Sequence, residues 1–231
     1  MEPLCAQHKQ TCLIGPEAAF FGKPIRRTNF GGVHSRLPLG HASVQTGRGI
    51  GNGMKNIVYF DLETQKSAED VGGWNHIRDM RMSVGVTFST ARGDYRIYGE
   101  PQVNELTEEL RRADLVVGFN VLRFDYEVLA GHNEFFDAEQ IPTLDLLVEL
   151  CKHLPFRLSL DSIATASLGV EKTSEGLQAI RWFREGKLLE IAEYCCYDVK
   201  ITKLVHEYGL AHRQVFYTNK FGKKMAVPAL W

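Results

Sequence analysis

Ile57-Val58-Tyr59-Phe60 is a run of four apolar residues that leads directly into Asp61-Leu62-Glu63-Thr64. Such a run suits a strand covered on both faces, and alternate residues of a strand share a face. Asp61 and Glu63 are therefore expected side by side at the end of a central strand. Two carboxylates held that close repel each other unless they are protonated or bridged by a cation. Hard divalent ions, which take oxygen ligands, suit such a pair. Asp-x-Glu alone occurs in many chains by chance, and its place after a buried strand is what gives it weight.

The pattern from residue 57 onward reads as α/β. Strands are expected over residues 57–62, 82–89, 95–98, 115–119 and, briefly, 142–147; Ala91-Arg92-Gly93-Asp94 marks a hairpin turn. Helical patterns cover 102–113, 123–131, 158–168, 177–184 and 188–210, the last being the longest. A second hairpin is expected from 215–218 and 225–227, with Lys220, Lys223 and Lys224 in its turn. Those lysines fit a solvated turn better than a phosphate contact.

Residues 1–54 have a different texture, with scattered Gly, Pro, His and Arg and no sustained period. They are expected to be a disordered or non-native N-terminal extension, with Met54 as an alternative natural start. The domain is then 55–231. Residues 1–56 carry seven basic residues (Lys9, Lys23, Arg26, Arg27, Arg36, Arg48, Lys55) against Glu2 and Glu17, so the remainder is acidic within a net charge of −1. An acidic body argues against holding nucleic acid through bulk charge. It is compatible with carboxylates that hold metal ions, which then meet a phosphate. No apolar run reaches the roughly 18 residues of a membrane helix, and no signal peptide is legible, so a cytoplasmic protein with no membrane partner is expected. Of the five cysteines, none form a C-x-x-C pair, and reduced, buried thiols are expected rather than a disulfide framework or zinc site.

Two further segments carry chemistry. Leu115 to Asp125 reads as a strand, a turn at Asn120 and a helix start, with Asp125 in the first helical turn, where the dipole favours negative charge. Capping alone would also explain Asp125, and a turn or cap would explain Asn120. Tyr194-Cys195-Cys196-Tyr197-Asp198 lies in the long helix. Tyr194 and Asp198 are i and i+4 and share a face. Ile191, Cys195, Val199 and Thr202 form the adjacent inner stripe, and Tyr194 and Asp198 stand at its margin. Asp145 is a further acid near the end of the sheet, and Asp161 reads as a helix-capping or surface acid.

Together these segments, Asp-x-Glu on a first strand, Asn-x-x-x-Phe-Asp after a later one and Tyr-x-x-x-Asp on a late helix, resemble the tyrosine branch of the DEDD exonucleases. That branch includes the proofreading domains of family-B DNA polymerases. The resemblance spans roughly residues 57–210, and the stretch from Leu158 to Trp231 looks like stand-alone bacterial members. It implies a ribonuclease H-like mixed sheet of about five or six strands flanked by helices. It also implies two Mg²⁺ or Mn²⁺ ions held by Asp61, Glu63, Asp125 and Asp198. Asp61 would be shared, Glu63 and Asp198 would serve the water-activating ion, and Asp125 the ion beside the leaving 3′ oxygen. Tyr194 would orient the attacking water, and Leu62, Thr64, Asn120 and Phe124 would lie beside the terminal nucleotide. The implied substrates are 3′ ends of single-stranded DNA or RNA. A ribonuclease H-like endonuclease and a non-catalytic nucleic-acid-binding module are the alternatives.

Overall fold

The computed structural model describes residues 55–170 and 176–231. The expected N-terminal extension and the alternative start at Met54 lie outside the described residues. The chain order is β1 (Ile57–Thr64), β2 (Met82–Ser89), β3 (Asp94–Gly99), α1 (Val103–Arg111), β4 (Leu115–Gly118), α2 (Asp125–Ala130), β5 (Thr143–Asp145), α3 (Leu146–Cys151), α4 (Leu160–Leu168), α5 (Gly176–Arg184), α6 (Leu188–His212), β6 (Gln214–Thr218) and β7 (Lys224–Pro228). A five-stranded mixed sheet runs in the order β3-β2-β1-β4-β5, and β6 and β7 form a separate antiparallel pair. β1 sits at the centre, antiparallel to β2 and parallel to β4.

The alternation of β1 decides where its acids go. Val58, Phe60 and Leu62 are buried on one face with Val103, Leu106 and Leu110 of α1 and Val128 and Leu129 of α2. Tyr59 is buried on the other face with Ile191, Cys195 and Val199 of α6. Asp61 and Glu63 have the parity of Tyr59, so they project toward α6. The buried stripe of α6 includes the expected Ile191, Cys195, Val199 and Thr202. Tyr194 and Asp198 are half-buried at its edge.

One expected element changes. The apolar continuation through Leu146 and Leu147 suits the end of a strand by its pattern, but β5 stops at Asp145 and α3 begins at Leu146. The Asp145 carboxylate accepts from the N–H groups of Leu147 (3.0 Å) and Val148 (3.3 Å). Those donors have no partner inside a first helical turn, and the cap satisfies them. Gly118, at the end of β4, is required by packing: a Cβ there would lie 2.2 Å from a methyl of the buried Val121. The chain turns so tightly that Asn120 takes a left-handed conformation (φ 69°), as its turn-forming side chain allows. This turn delivers Asp125 to the sheet.

Candidate metal centre

Asp61 and Glu63 from β1 and Asp198 from α6 each present an oxygen within 4.8 Å of the others. None of the three has a salt-bridging Lys or Arg among the described residues. Burial, then the charges of Asp125, Asp198 and Glu63, push the Asp61 carboxyl well above the usual range. Burial, Asp198 and Asp125 do the same to Glu63. Burial and then Asp161 raise Asp198 to about 7, opposed by a hydrogen bond from Tyr194. A set of oxygen donors that repel one another and lack a cationic partner suits a hard divalent ion, so the residues present fit the implied metal.

Asp125 is brought close but is not one of the converging three. It is only 2% exposed, and its Oδ1 accepts from the Leu62 N–H at 3.1 Å. That bond crosses from α2 to β1, while the N-cap of α2 is Phe124 and carries no side-chain cap. Burial pushes Asp125 up to about 8, opposed by the Leu62 N–H. Tyr194 stands on the same wall, hydrogen-bonded to Asp198. Burial and the charges of Asp198, Glu63 and Asp61 push its hydroxyl above the ordinary tyrosine range, so it keeps its proton.

The four residues expected beside a nucleotide divide into two pairs. Leu62 and Thr64 are buried, at 4% and 6% exposure, and the Thr64 hydroxyl donates to the Lys66 carbonyl at 2.9 Å. Their side chains pack into the interior of the fold. Asn120 and Phe124 are half-exposed. The Asn120 side chain accepts from Arg157 at 2.5 Å, and the Phe124 ring meets Trp74 edge-on with centroids 6.3 Å apart. Lys220 and Lys223 of the β6–β7 turn and Lys224, which is the first residue of β7 rather than part of the turn, are exposed, with Lys224 over Phe216 and Lys220 over Phe221.

Three features escaped the sequence reading. The Cys195 thiol, taken as one more residue of the inner stripe, donates to both the carbonyl and Oδ2 of Asp61 at 3.4 Å. Its i, i+3 spacing to Asp198 was the available signal. Asp161, read as a capping or surface acid, leaves the cap of α4 to Ser159 and lies near enough to raise Asp198. Asp145 has a scaffolding role: besides capping α3, it accepts from the N–H groups of Asn120 (2.8 Å) and Leu122 (3.1 Å). It thereby joins β5 to the turn that carries Asp125. Asp145→Ala is expected to destabilise the protein by about 2–4 kcal/mol, because buried backbone donors lose a charged acceptor. Urea unfolding checks this, and an unchanged midpoint would refute the role.

Among the described residues no helix is long and apolar enough to cross a membrane, and Cys151, Cys195 and Cys196 are free thiols. No curated protein matches the chain. Among solved structures, it is similar to the family B DNA polymerase from the hyperthermophilic archaeon Pyrobaculum calidifontis, at 15% identity and a TM-score of 0.53, over 68% of this chain and 25% of that one. The chain thus matches about a quarter of the polymerase's length, and the likeness is one of fold. A family model described as RNase_H superfamily matches residues 58–210, in agreement with the five-stranded mixed sheet and its flanking helices: the chain belongs to the ribonuclease H superfamily.

Proposed function

We propose that the chain is a metal-dependent 3′→5′ exonuclease of the tyrosine DEDD type, hydrolysing phosphodiesters at the 3′ ends of single-stranded DNA or RNA. The observation that carries this reading is the convergence of Asp61, Glu63 and Asp198 beside a Tyr194 hydroxyl bonded to Asp198. Asp61, Glu63 and Asp198, with Asp125 behind them, would hold two Mg²⁺ or Mn²⁺ ions. Bound there, such ions polarise the phosphodiester and activate water. The chain's own groups do the positioning. The Leu62 N–H fixes one oxygen of Asp125, and the Cys195 thiol fixes one oxygen of Asp61. Tyr194 is too weak an acid to serve as a base at neutral pH, so its role is to orient by hydrogen bonding.

The test is a gel assay with 5′-labelled single-stranded DNA and RNA, in Mn²⁺ and in EDTA, with Asp198→Ala alongside. A ladder that shortens from the 3′ end, absent in EDTA and in the variant, supports the reading and identifies the polymer. Internal cuts would make the protein an endonuclease, and binding without cleavage would make it a binding module. Tyr194→Phe is expected to lower the rate by about tenfold to a hundredfold, corresponding to one lost orienting hydrogen bond of about 1.5–3 kcal/mol. A loss as large as that of Asp198→Ala would contradict an orienting role.

A further inference from the structure

Residues 208–231, the end of α6 and the β6–β7 hairpin, contain Arg213, Lys220, Lys223 and Lys224 and no Asp or Glu, although the chain beyond residue 56 is net acidic. All four cations are exposed and form no ion pair among the described residues. One face of the hairpin belongs to the core: Val215, Tyr217 and Val227 are buried in one cluster with Ile163 and Ala164 of α4 and Val205 of α6. The segment after β7 is fastened as well. Trp231 donates from its ring N–H to the His206 carbonyl at 3.1 Å, and it lies over Gly209, where a Cβ would stand 2.2 Å from the ring. The hairpin is therefore held in place before anything binds to it.

Its two outer edges differ. In an antiparallel pair, alternate residues turn their N–H and C=O groups toward the neighbouring strand and away from it. The bonds from the Ala229 N–H to Arg213 (3.1 Å) and from the Asn219 N–H to Lys223 (2.9 Å), with the register Val215↔Val227 and Tyr217↔Met225, set the parity. The backbone of Phe216 thus turns outward on β6, and those of Lys224 and Ala226 turn outward on β7. The Phe216 edge is closed, because the Ser167 hydroxyl of α4 accepts from its N–H at 2.7 Å and donates to its C=O at 3.2 Å. The β7 edge is open. Lys224, Ala226 and Pro228 are exposed, and no described residue bonds the outward N–H and C=O groups of Lys224 and Ala226.

We propose that the open edge of β7 is a docking site for an extended acidic segment of a partner protein, which joins the hairpin as a third strand. Main-chain bonds to Lys224 and Ala226 give such an addition its hold, and alternate side chains give it selectivity. A residue paired with Lys224 shares its face, so an Asp or Glu there meets the ammonium, with Lys220 and Lys223 at the same end of the hairpin. A residue paired with Met225 lies on the other face, beside a half-buried apolar side chain, and is best apolar. Lys and Pro on an edge strand discourage indiscriminate pairing, and Lys224 turns that device into a choice of charge. A second copy of the hairpin brings four more cations and no acid, and the first 56 residues of this chain are basic too; like charges oppose both. Nucleic acid and anionic lipid would meet the lysines, but neither carries the alternating N–H and C=O groups that the edge matches.

The test is fluorescence anisotropy of the full chain with a labelled peptide of alternating Glu and Val, about eight residues long, within the usual length of a strand. A second peptide is N-methylated at its Glu residues, which keeps the charge and removes the N–H groups aimed at β7. A third has Lys in place of Glu. The first is expected to bind saturably, the N-methylated one about tenfold or more weaker through its lost main-chain bonds, and the Lys peptide not at all. Ala226→Pro removes one outward donor and leaves the bonds to β6 in place, as Pro is tolerated on an open edge. It should weaken binding of the Glu peptide about fivefold or more with an unchanged melting temperature. Lys224→Glu should shift the preference toward the Lys peptide. No binding of the Glu peptide, or equal binding of its N-methylated form, overturns the proposal without calling on any variant. Binding of an oligonucleotide or of phosphatidylserine vesicles that Lys224→Glu abolishes, with none of the Glu peptide, makes the lysines a phosphate-binding surface and overturns it as well.

Discussion

Asp61→Asn is expected to lose metal-dependent cleavage by about a thousandfold or more, and to melt at a higher temperature than wild type when both are metal-free at pH 8. The first effect follows from the place of Asp61 among the converging carboxylates. Metal polarisation of a phosphoryl oxygen is worth several kcal/mol of transition-state stabilisation, and each 1.36 kcal/mol is about tenfold in rate. The second follows from the cost of the site when empty of ions. Asp61 is buried among Asp125, Asp198 and Glu63, all of which push its proton affinity up. An amide has nearly the same shape, keeps an oxygen to accept from Cys195, and carries no charge to repel the others. Removing one member of a like-charged buried set relieves strain that the metal would otherwise neutralise. Gel assays and calorimetry read the two effects independently. Equal activity in a folded Asp61→Asn protein would remove Asp61 from the site. A lower metal-free melting temperature would show that its carboxylate supports the fold.

The parts of the site legible in the sequence were those that depend on local periodicity. The period of two along Ile57–Thr64 put Asp61 and Glu63 on one face, and the period of 3.6 along α6 put Tyr194 and Asp198 on one margin; both hold in the structure. That two-residue period also places Leu62 on the opposite face, into the core with α1 and α2. Partnerships between distant elements had no local signature. The bond from the Leu62 N–H to Asp125 joins residues 63 positions apart, and those from Asn120 and Leu122 to Asp145 span 25 and 23. Trp74 escaped notice for a related reason: its segment is short and irregular, with a kink at His76, and only the folded chain brings it to Phe124. The start of α3 was missed because an apolar run in a strand and one in a short helix look alike, and the Asp145 cap that decides between them sits at the junction.

Metal-free protein is expected to lose stability as pH rises from about 4.5 to about 8, and Mn²⁺ is expected to restore it only at the upper end. The ordinary carboxyl values for Asp and Glu here are 3.8 and 4.5, while the fold raises Asp198 to about 7 and Asp125 to about 8. An acid with a raised folded value binds more protons folded than unfolded, so its contribution to stability falls as pH rises. The penalty is absent below the unfolded value, grows through the interval and is complete above the folded value. Each unit of difference corresponds to about 1.36 kcal/mol. Surface carboxylates drive acid unfolding in the opposite sense, so the informative quantity is the difference between wild type and Asp198→Asn across pH. The variant should show the shallower decline above pH 5. Mn²⁺ at a hundred times its Kd adds about 2.7 kcal/mol, which for a chain of this size is a rise of about 5–10 °C in Tm. At pH 5 the same ion must displace protons from Asp61, Glu63, Asp125 and Asp198, and the rise should shrink to a small fraction of that. Equal Mn²⁺ shifts at pH 5 and pH 8, or an undiminished shift in Asp198→Asn, would place the ion away from these carboxylates.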